Sequence, residues 1–247
     1  MTSDFPAPAG TSDPGPDASV GTAGEGARGT SLIAPGATFE RIQLDDRSWI
    51  DVARNWMTGA EQLYAELART LPWKQGSAWR YERYLEEPRL TAWIARGRAV
   101  PSPALLEAYR ALRRRYQVDF DGFGLSWYRD GNDSVGFHRD REMRWLDNTV
   151  IAILTTGARR PFLVKSRHVP AGRRILNDDS DARDLAPGPG DLLVLGGRCQ
   201  ADWLHAVPKV PGVVEGRISV QWRWTSRTGP PERGPGYGAP RTFSRPR

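Results

Sequence analysis

Apolar residues recur every three or four positions in two stretches of the first half of the chain. Leu63, Tyr64, Leu67 and Leu71 do so behind Thr58-Gly-Ala-Glu61, which has the form of a capping box, and Pro72 follows as a stop. Leu105, Leu106, Tyr109 and Leu112 share one face behind Ser102-Pro103. The spacing predicts a helix over each stretch. Arg113-Arg114-Arg115 close the second helix, where they suit its negative end or could meet phosphate. After Val118 the pattern changes to short apolar runs: GFGLSWY, TVIAILTT, RPFLVKS, GDLLVLGG, HAVPK and RISVQWRWT. Gly, Pro, Asn and Asp divide them and no long helix intervenes, so the reading is an antiparallel sandwich or barrel. Helices come first and a β-barrel follows.

The tails fall outside this pattern. Residues 1–31 are Gly, Ala, Pro, Ser, Thr and Asp with almost nothing to bury, and residues 226–247 are again rich in Pro and Gly. Both are expected to be flexible extensions around one domain over 32–225. The C-terminal tail carries five arginines from Arg227 onward against one glutamate, so it could hold a polyanion loosely. Net charge is +6, with a pI near 9.8. That balance fits a phosphate-bearing partner or simply an arginine-rich composition. Ten tryptophans exceed what a core of this size needs, so some are expected at a surface or cleft. Cys199 is the one cysteine, which excludes an intramolecular disulfide and a cysteine-rich zinc site. It reads as a small filler near a strand end. No run approaches a membrane span and no signal pattern opens the chain, so a reducing cytosol is the expected compartment.

Within GFHRDRE, His138 and Asp140 are two apart, and on a strand they share a face. They are either two ligands of one metal or an ordinary His–Asp hydrogen bond on a sheet. A catalytic iron or zinc site needs a third protein ligand and open positions. His168 sits in the basic loop SRHVPAGRR, where exposure is the plain expectation. His205 lies in DWLHAVPK, just past the strand GDLLVLGG, and is the better third ligand. Further on, Arg217 and Arg223 in RISVQWR are six apart and also share a face. An arginine inside an apolar strand is costly unless a carboxylate meets it, and a dicarboxylic acid ligand would do so.

From about Phe39 to Thr225 the chain resembles the AlkB family of Fe(II)/2-oxoglutarate dioxygenases, which repair alkylated nucleic acids. The matching pieces are SWYRDGNDSVGFHRDRE, GDLLVLGG, DWLHAVPK and RISVQWR. The resemblance implies a mostly β fold with N-terminal helices, built on a double-stranded β-helix (jelly-roll) over about 118–225, with a nucleotide-recognition lid over about 73–100. It implies Fe(II), 2-oxoglutarate and O2, with alkylated DNA or RNA as partner; no membrane and no obligate protein partner are expected. Carried over by position, His138, Asp140 and His205 are the iron ligands and catalytic centre. Tyr128, Arg217 and Arg223 are the cosubstrate contacts, and Glu142 is the acidic residue facing the target base. Ser126 and Ser219 stand where the family usually has asparagines, so the cosubstrate is expected to be held somewhat differently there.

The segment from Trp79 to Arg98 interleaves Trp79, Tyr81, Tyr84 and Trp93 with Arg80, Arg83, Arg89, Arg96 and Arg98, which suits base stacking and phosphate contact. A strand pair with Tyr81 and Tyr84 packed on the barrel is the other reading. PRLTAW resembles the family lid and makes Arg89 and Trp93 the expected substrate contacts there. Lys165 and Arg167 could reach phosphates from their loop. The expected activity is oxidative demethylation of bases such as 1-methyladenine or 3-methylcytosine. The alternatives are a hydroxylase of a protein or small molecule, and a binding module without catalysis.

Overall fold

The computed structural model describes residues 32–80, 82–95, 97–140, 146–168 and 181–226. Both amphipathic runs are helical, as α1 (Ala60–Thr70) and α2 (Pro103–Tyr116). Helix α1 buries Ala60, Leu63 and Leu67 and ends before Pro72, which lacks the N–H to continue it. The capping box does not form. Gly59 takes the N-cap position at φ 70°, and Thr58 Oγ1 donates to the Leu32 carbonyl at 3.2 Å. Anchoring the incoming chain wins over the local cap. Helix α2 buries Ala104, Leu105, Ala108 and Leu112, leaving Leu106 and Tyr109 half-exposed. Ser102 precedes it, but its hydroxyl reaches Glu66 on α1 at 3.1 Å and so ties the helices together. Of the terminal arginines, Arg113 pairs with Asp119 and Arg115 lies 3.5 Å over the Phe39 ring.

The strands are β1 (Glu40–Gln43), β2 (Ser48–Ala53), β3 (Lys74–Arg80), β4 (Arg83–Ala95), β5 (Gly122–Tyr128), β6 (Val135–His138), β7 (Thr149–Gly157), β8 (Leu163–Ser166), β9 (Arg183–Asp184), β10 (Leu192–Gly197), β11 (Trp203–Val207) and β12 (Arg217–Thr225). A four-residue helix, α3 (Cys199–Asp202), links β10 to β11. The larger sheet runs β1-β2-β10-β7-β12-β5-β4-β3 and the smaller β6-β11-β8-β9, all neighbours antiparallel. The mostly β, jelly-roll expectation stands. Its simple order, helices then strands, does not: β1 and β2 precede α1, and the β3–β4 hairpin lies between the helices. Asp51 disguises β2 in the sequence. Its carboxylate is buried, yet bidentate contacts from Arg41 at 2.7 and 2.9 Å and the Tyr116 hydroxyl at 2.9 Å satisfy it.

The unbroken apolar runs of β7 and β10 are strands buried on both faces. Val150, Ala152, Leu154, Leu192 and Val194 point into a core shared with both helices. Ile151, Ile153, Leu193 and Leu195 point into a second core, with Phe162, Val164 and Val207 of the smaller sheet's side. Strand β12 instead alternates. Ile218, Val220 and Trp222 enter the helix-side core. Arg217, Ser219, Gln221 and Arg223 therefore face the space between the sheets. Strand β5 does the same with Phe123 and Leu125 on one side, and Gly124, Ser126 and Tyr128 on the other.

Candidate metal centre

Strand β6 ends at His138, which lies directly opposite His205 on β11. That register sets the two imidazoles 4.3 Å apart between ring centroids. Asp140 follows two residues later, with its Oδ1 3.6 Å from His138 Nε2. One ligand atom from each of His138, Asp140 and His205 lies within 4.8 Å of the others. His138 Nδ1 sits 2.9 Å from the Gly136 carbonyl, so it carries the proton and leaves Nε2 as the free lone pair. The ring of His205 stacks on Phe162, 5.6 Å away.

The electrostatics keep this trio in its ligand form. Burial pushes the His205 imidazole down to about 3, helped by its neighbour His138, and burial likewise lowers His138. Burial alone would raise the Asp140 carboxyl. The Arg223 guanidinium, with Nε 2.7 Å from Oδ2, and the two imidazoles hold it well below the usual carboxylate range instead. Two neutral imidazoles and one carboxylate at this separation are a donor set for a divalent transition metal with open positions, and ferrous iron fits it.

The fit to a dicarboxylate is tested by Arg217. It is fully buried and faces the inter-sheet space, and among the described residues no carboxylate hydrogen-bonds it, although Asp184 lies near enough to favour its charge. Its Nη2 is 3.3 Å from Thr155 Oγ1, the Tyr128 ring centroid is 6.0 Å from its Cζ, and Nε and Nη1 have no hydrogen-bond partner among the described residues. Burial pushes its guanidinium down to about 10. A buried guanidinium in this position is suited to an anionic ligand.

A cavity of about 150 Å³ contains the trio. Ser126, Tyr128, Ser219, Gln221 and Arg223 from β5 and β12 form one wall, and Arg89 from β4 reaches in. Ser126 and Ser219 are register partners across those strands. A second groove, about 310 Å³, is lined by Leu85 to Arg89 and by Ser134 to His138, and so shares Arg89, Val135 and His138 with the cavity.

Other expected contacts fall elsewhere. Trp93 does not line the cavity; its ring packs beside Gly124 and lines a separate groove with Ile94 and Arg98. Arg167 is also outside it, donating from Nη1 to the Ala201 carbonyl at 2.6 Å. His168 is exposed, as expected, with Nε2 3.5 Å from Asp202. Tyr84 does not pack on the barrel but stands 73% exposed on β4. Lys165 lies 3.9 Å over the Phe137 ring. Glu142, Tyr81 and Arg96 lie outside the described residues. Among the described residues no tryptophan lines the cavity, and Trp93 lines the separate groove instead.

Sequence reading missed two residues. Gln221 accepts from Arg223 and lines the cavity, a place its i+2 spacing between Ser219 and Arg223 already marked. Gln200 accepts the Asp140 backbone N–H at 2.8 Å, and nothing in the sequence links residues 60 apart.

The profile of the 2OG-Fe(II) oxygenase superfamily matches residues 59–223. Rat alpha-ketoglutarate-dependent dioxygenase alkB homolog 3 is 32% identical over 178 residues, covering 66% of this chain and 59% of that protein. The chain thus spans about three-fifths of that relative's length. Arabidopsis DNA oxidative demethylase ALKBH2 is 29% identical over 117 residues, 42% of this chain and 37% of that one. The solved structure of OsALKBH1 shares the fold, with a TM-score of 0.50 at 14% identity over 75% of this chain and 100% of that one.

Proposed function

Because this chain belongs to the 2OG-Fe(II) oxygenase superfamily, and within it to the AlkB family, we propose that it is a dioxygenase acting on methylated nucleic acid. Its substrates would be N-methylated bases such as 1-methyladenine or 3-methylcytosine, with one O2 and one 2-oxoglutarate consumed. The products would be the unmethylated base, formaldehyde, succinate and CO2. The observation that carries this reading is the meeting of His138, Asp140 and His205 in one cavity, together with a buried Arg217 whose Nε and Nη1 have no hydrogen-bond partner among the described residues. Ferrous iron with 2-oxoglutarate and O2 supplies the oxidising power when bound.

The chain's own residues hold and orient. His138, Asp140 and His205 would ligate the iron. Arg217 would grip the far carboxylate of 2-oxoglutarate, and Tyr128, Ser126 and Ser219 would hydrogen-bond it along the wall. Arg223 would hold Asp140 in place and meet the near carboxylate. Serines are short here, so their contacts would run through water. The groove beside His138 would take the extruded nucleotide, with Arg89 at the junction of groove and cavity.

Glu86 and Glu87 also line that groove, which favours a second reading. Carboxylates disfavour a phosphate chain, and a basic protein side chain would suit them. Incubation with Fe(II), 2-oxoglutarate and oligonucleotides carrying either methylated base separates the readings by mass spectrometry. Succinate in step with methyl loss is the expected result. Succinate alone points to the second reading, and the absence of both products contradicts the nucleic-acid reading.

A further inference from the structure

Resting on the reading of His138, Asp140 and His205 as metal ligands, we propose that Gln200 is a positioning residue for that centre. Its side-chain carbonyl fixes the backbone at Asp140, and α3 thereby braces both halves of the site. Strand pairing ends at His138 opposite His205, so the sheet does not hold the next turn of chain. Asp140 donates its N–H instead to Gln200 Oε1 at 2.8 Å, across a buried contact. Gln200 itself is fully buried.

Helix α3 is clamped around that amide. The Ala201 carbonyl accepts from Arg139 Nη1 at 3.2 Å and from Arg167 Nη1 at 2.6 Å. The Asp202 carbonyl accepts the Arg167 N–H at 2.9 Å, and Arg198 reaches the Asp202 carboxylate at 2.8 Å and also pairs with Asp147. Strand β11 starts at the next residue, Trp203, and delivers His205. The element that leads into one ligand thus reaches over to another.

The other half of the amide has no such task. Gln200 Nε2 is buried and, among the described residues, has no hydrogen-bond partner. A half-satisfied buried amide is a poor filler, and methionine of the same length would pack there without a polar orphan. Gln200→Met removes that orphan and creates another at the Asp140 N–H, so the two changes offset in stability. The metal centre feels only the second.

Co(II) titration of the full chain, read by its visible ligand-field spectrum, tests this. Gln200→Met is expected to bind Co(II) about 10- to 100-fold more weakly, with an altered spectrum, as losses of such supporting contacts do, and with little change in melting temperature. Gln200→Asn keeps an amide one methylene short of Asp140 and is expected to weaken binding in the same direction, which covers the case of a Met variant that does not fold. Leu112→Ala, in α2, is expected to lower melting while leaving the spectrum unchanged. Wild-type affinity and spectrum in both Gln200 variants would overturn the proposal. Wild-type protein that binds no Co(II), or whose binding survives Asp140→Ala, would instead overturn the ligand assignment on which it rests.

Discussion

Arg217 carries a fully buried charge whose Nε and Nη1 have no hydrogen-bond partner among the described residues. A side chain so placed weakens the empty fold and strengthens the filled one. Arg217→Met should therefore stabilise the apoprotein by about 1–2 kcal/mol, since apolar replacements of buried charge often do so. The same change should abolish the rise in melting temperature that 2-oxoglutarate gives with iron, while iron affinity stays near wild type. A destabilised apoprotein that still responds to 2-oxoglutarate would contradict the assigned role. Cys199 is the opposite case, a group with its needs met. It is buried, its thiol is 3.3 Å from the Trp49 carbonyl, and burial pushes it up to about 12. It should resist iodoacetamide at about pH 8.5, near the ordinary thiol pKa, and react only in denaturant; rapid labelling of native protein would contradict that burial. At this scale the proposed ligands were legible because strand alternation places His138 with Asp140 and Arg217 with Arg223 on shared faces. Gln200 was not, because its contact with Asp140 depends on where α3 settles after folding.

The strands of the larger sheet divide their labour by face. β7 and β10 are apolar on both, whereas β5 and β12 give one face to a core and the other to the cavity. These strands were legible as short apolar runs between turn residues. β2 was not, because Asp51 interrupts it and its partners, Arg41 and Tyr116, come from the neighbouring strand β1 and from α2. Close approach also sets limits within strands. A Cβ on Gly196 of β10 would lie 2.0 Å from Trp49 Cζ2 on the paired strand β2. Gly196→Ala should displace that ring and destabilise the protein by about 1–3 kcal/mol, the usual range for overpacking. Unchanged urea unfolding and tryptophan fluorescence would show that β2 yields without cost. One reading made Trp79 to Arg98 a strand pair with Tyr84 packed on the barrel; the pair forms as β3–β4, but Tyr84 stands 73% exposed on it.

The whole molecule combines a net charge of +6 with a site whose own wall holds Arg89 and Arg223. If the partner is a nucleic acid, its grip should depend on salt. Binding of a methylated single-stranded oligonucleotide should weaken about tenfold between roughly 50 and 200 mM salt, equivalent to two or three phosphate contacts. Salt-independent binding would favour the protein-substrate reading that Glu86 and Glu87 suggest. The two-sheet architecture was legible from the punctuated apolar runs, and the proposed site from the spacing of His138, Asp140 and His205 and of Arg217 and Arg223, read with the family resemblance. The walls of the groove were not, since Leu85 to Arg89 and Ser134 to His138 meet only when β4 and β6 approach. All of this depends on one centre, best tested by anaerobic Fe(II) titration of wild type beside His138→Ala, Asp140→Ala and His205→Ala. One equivalent bound by wild type, and at least a hundredfold weaker binding in each variant, is the predicted result. Undiminished binding in His205→Ala would contradict the account.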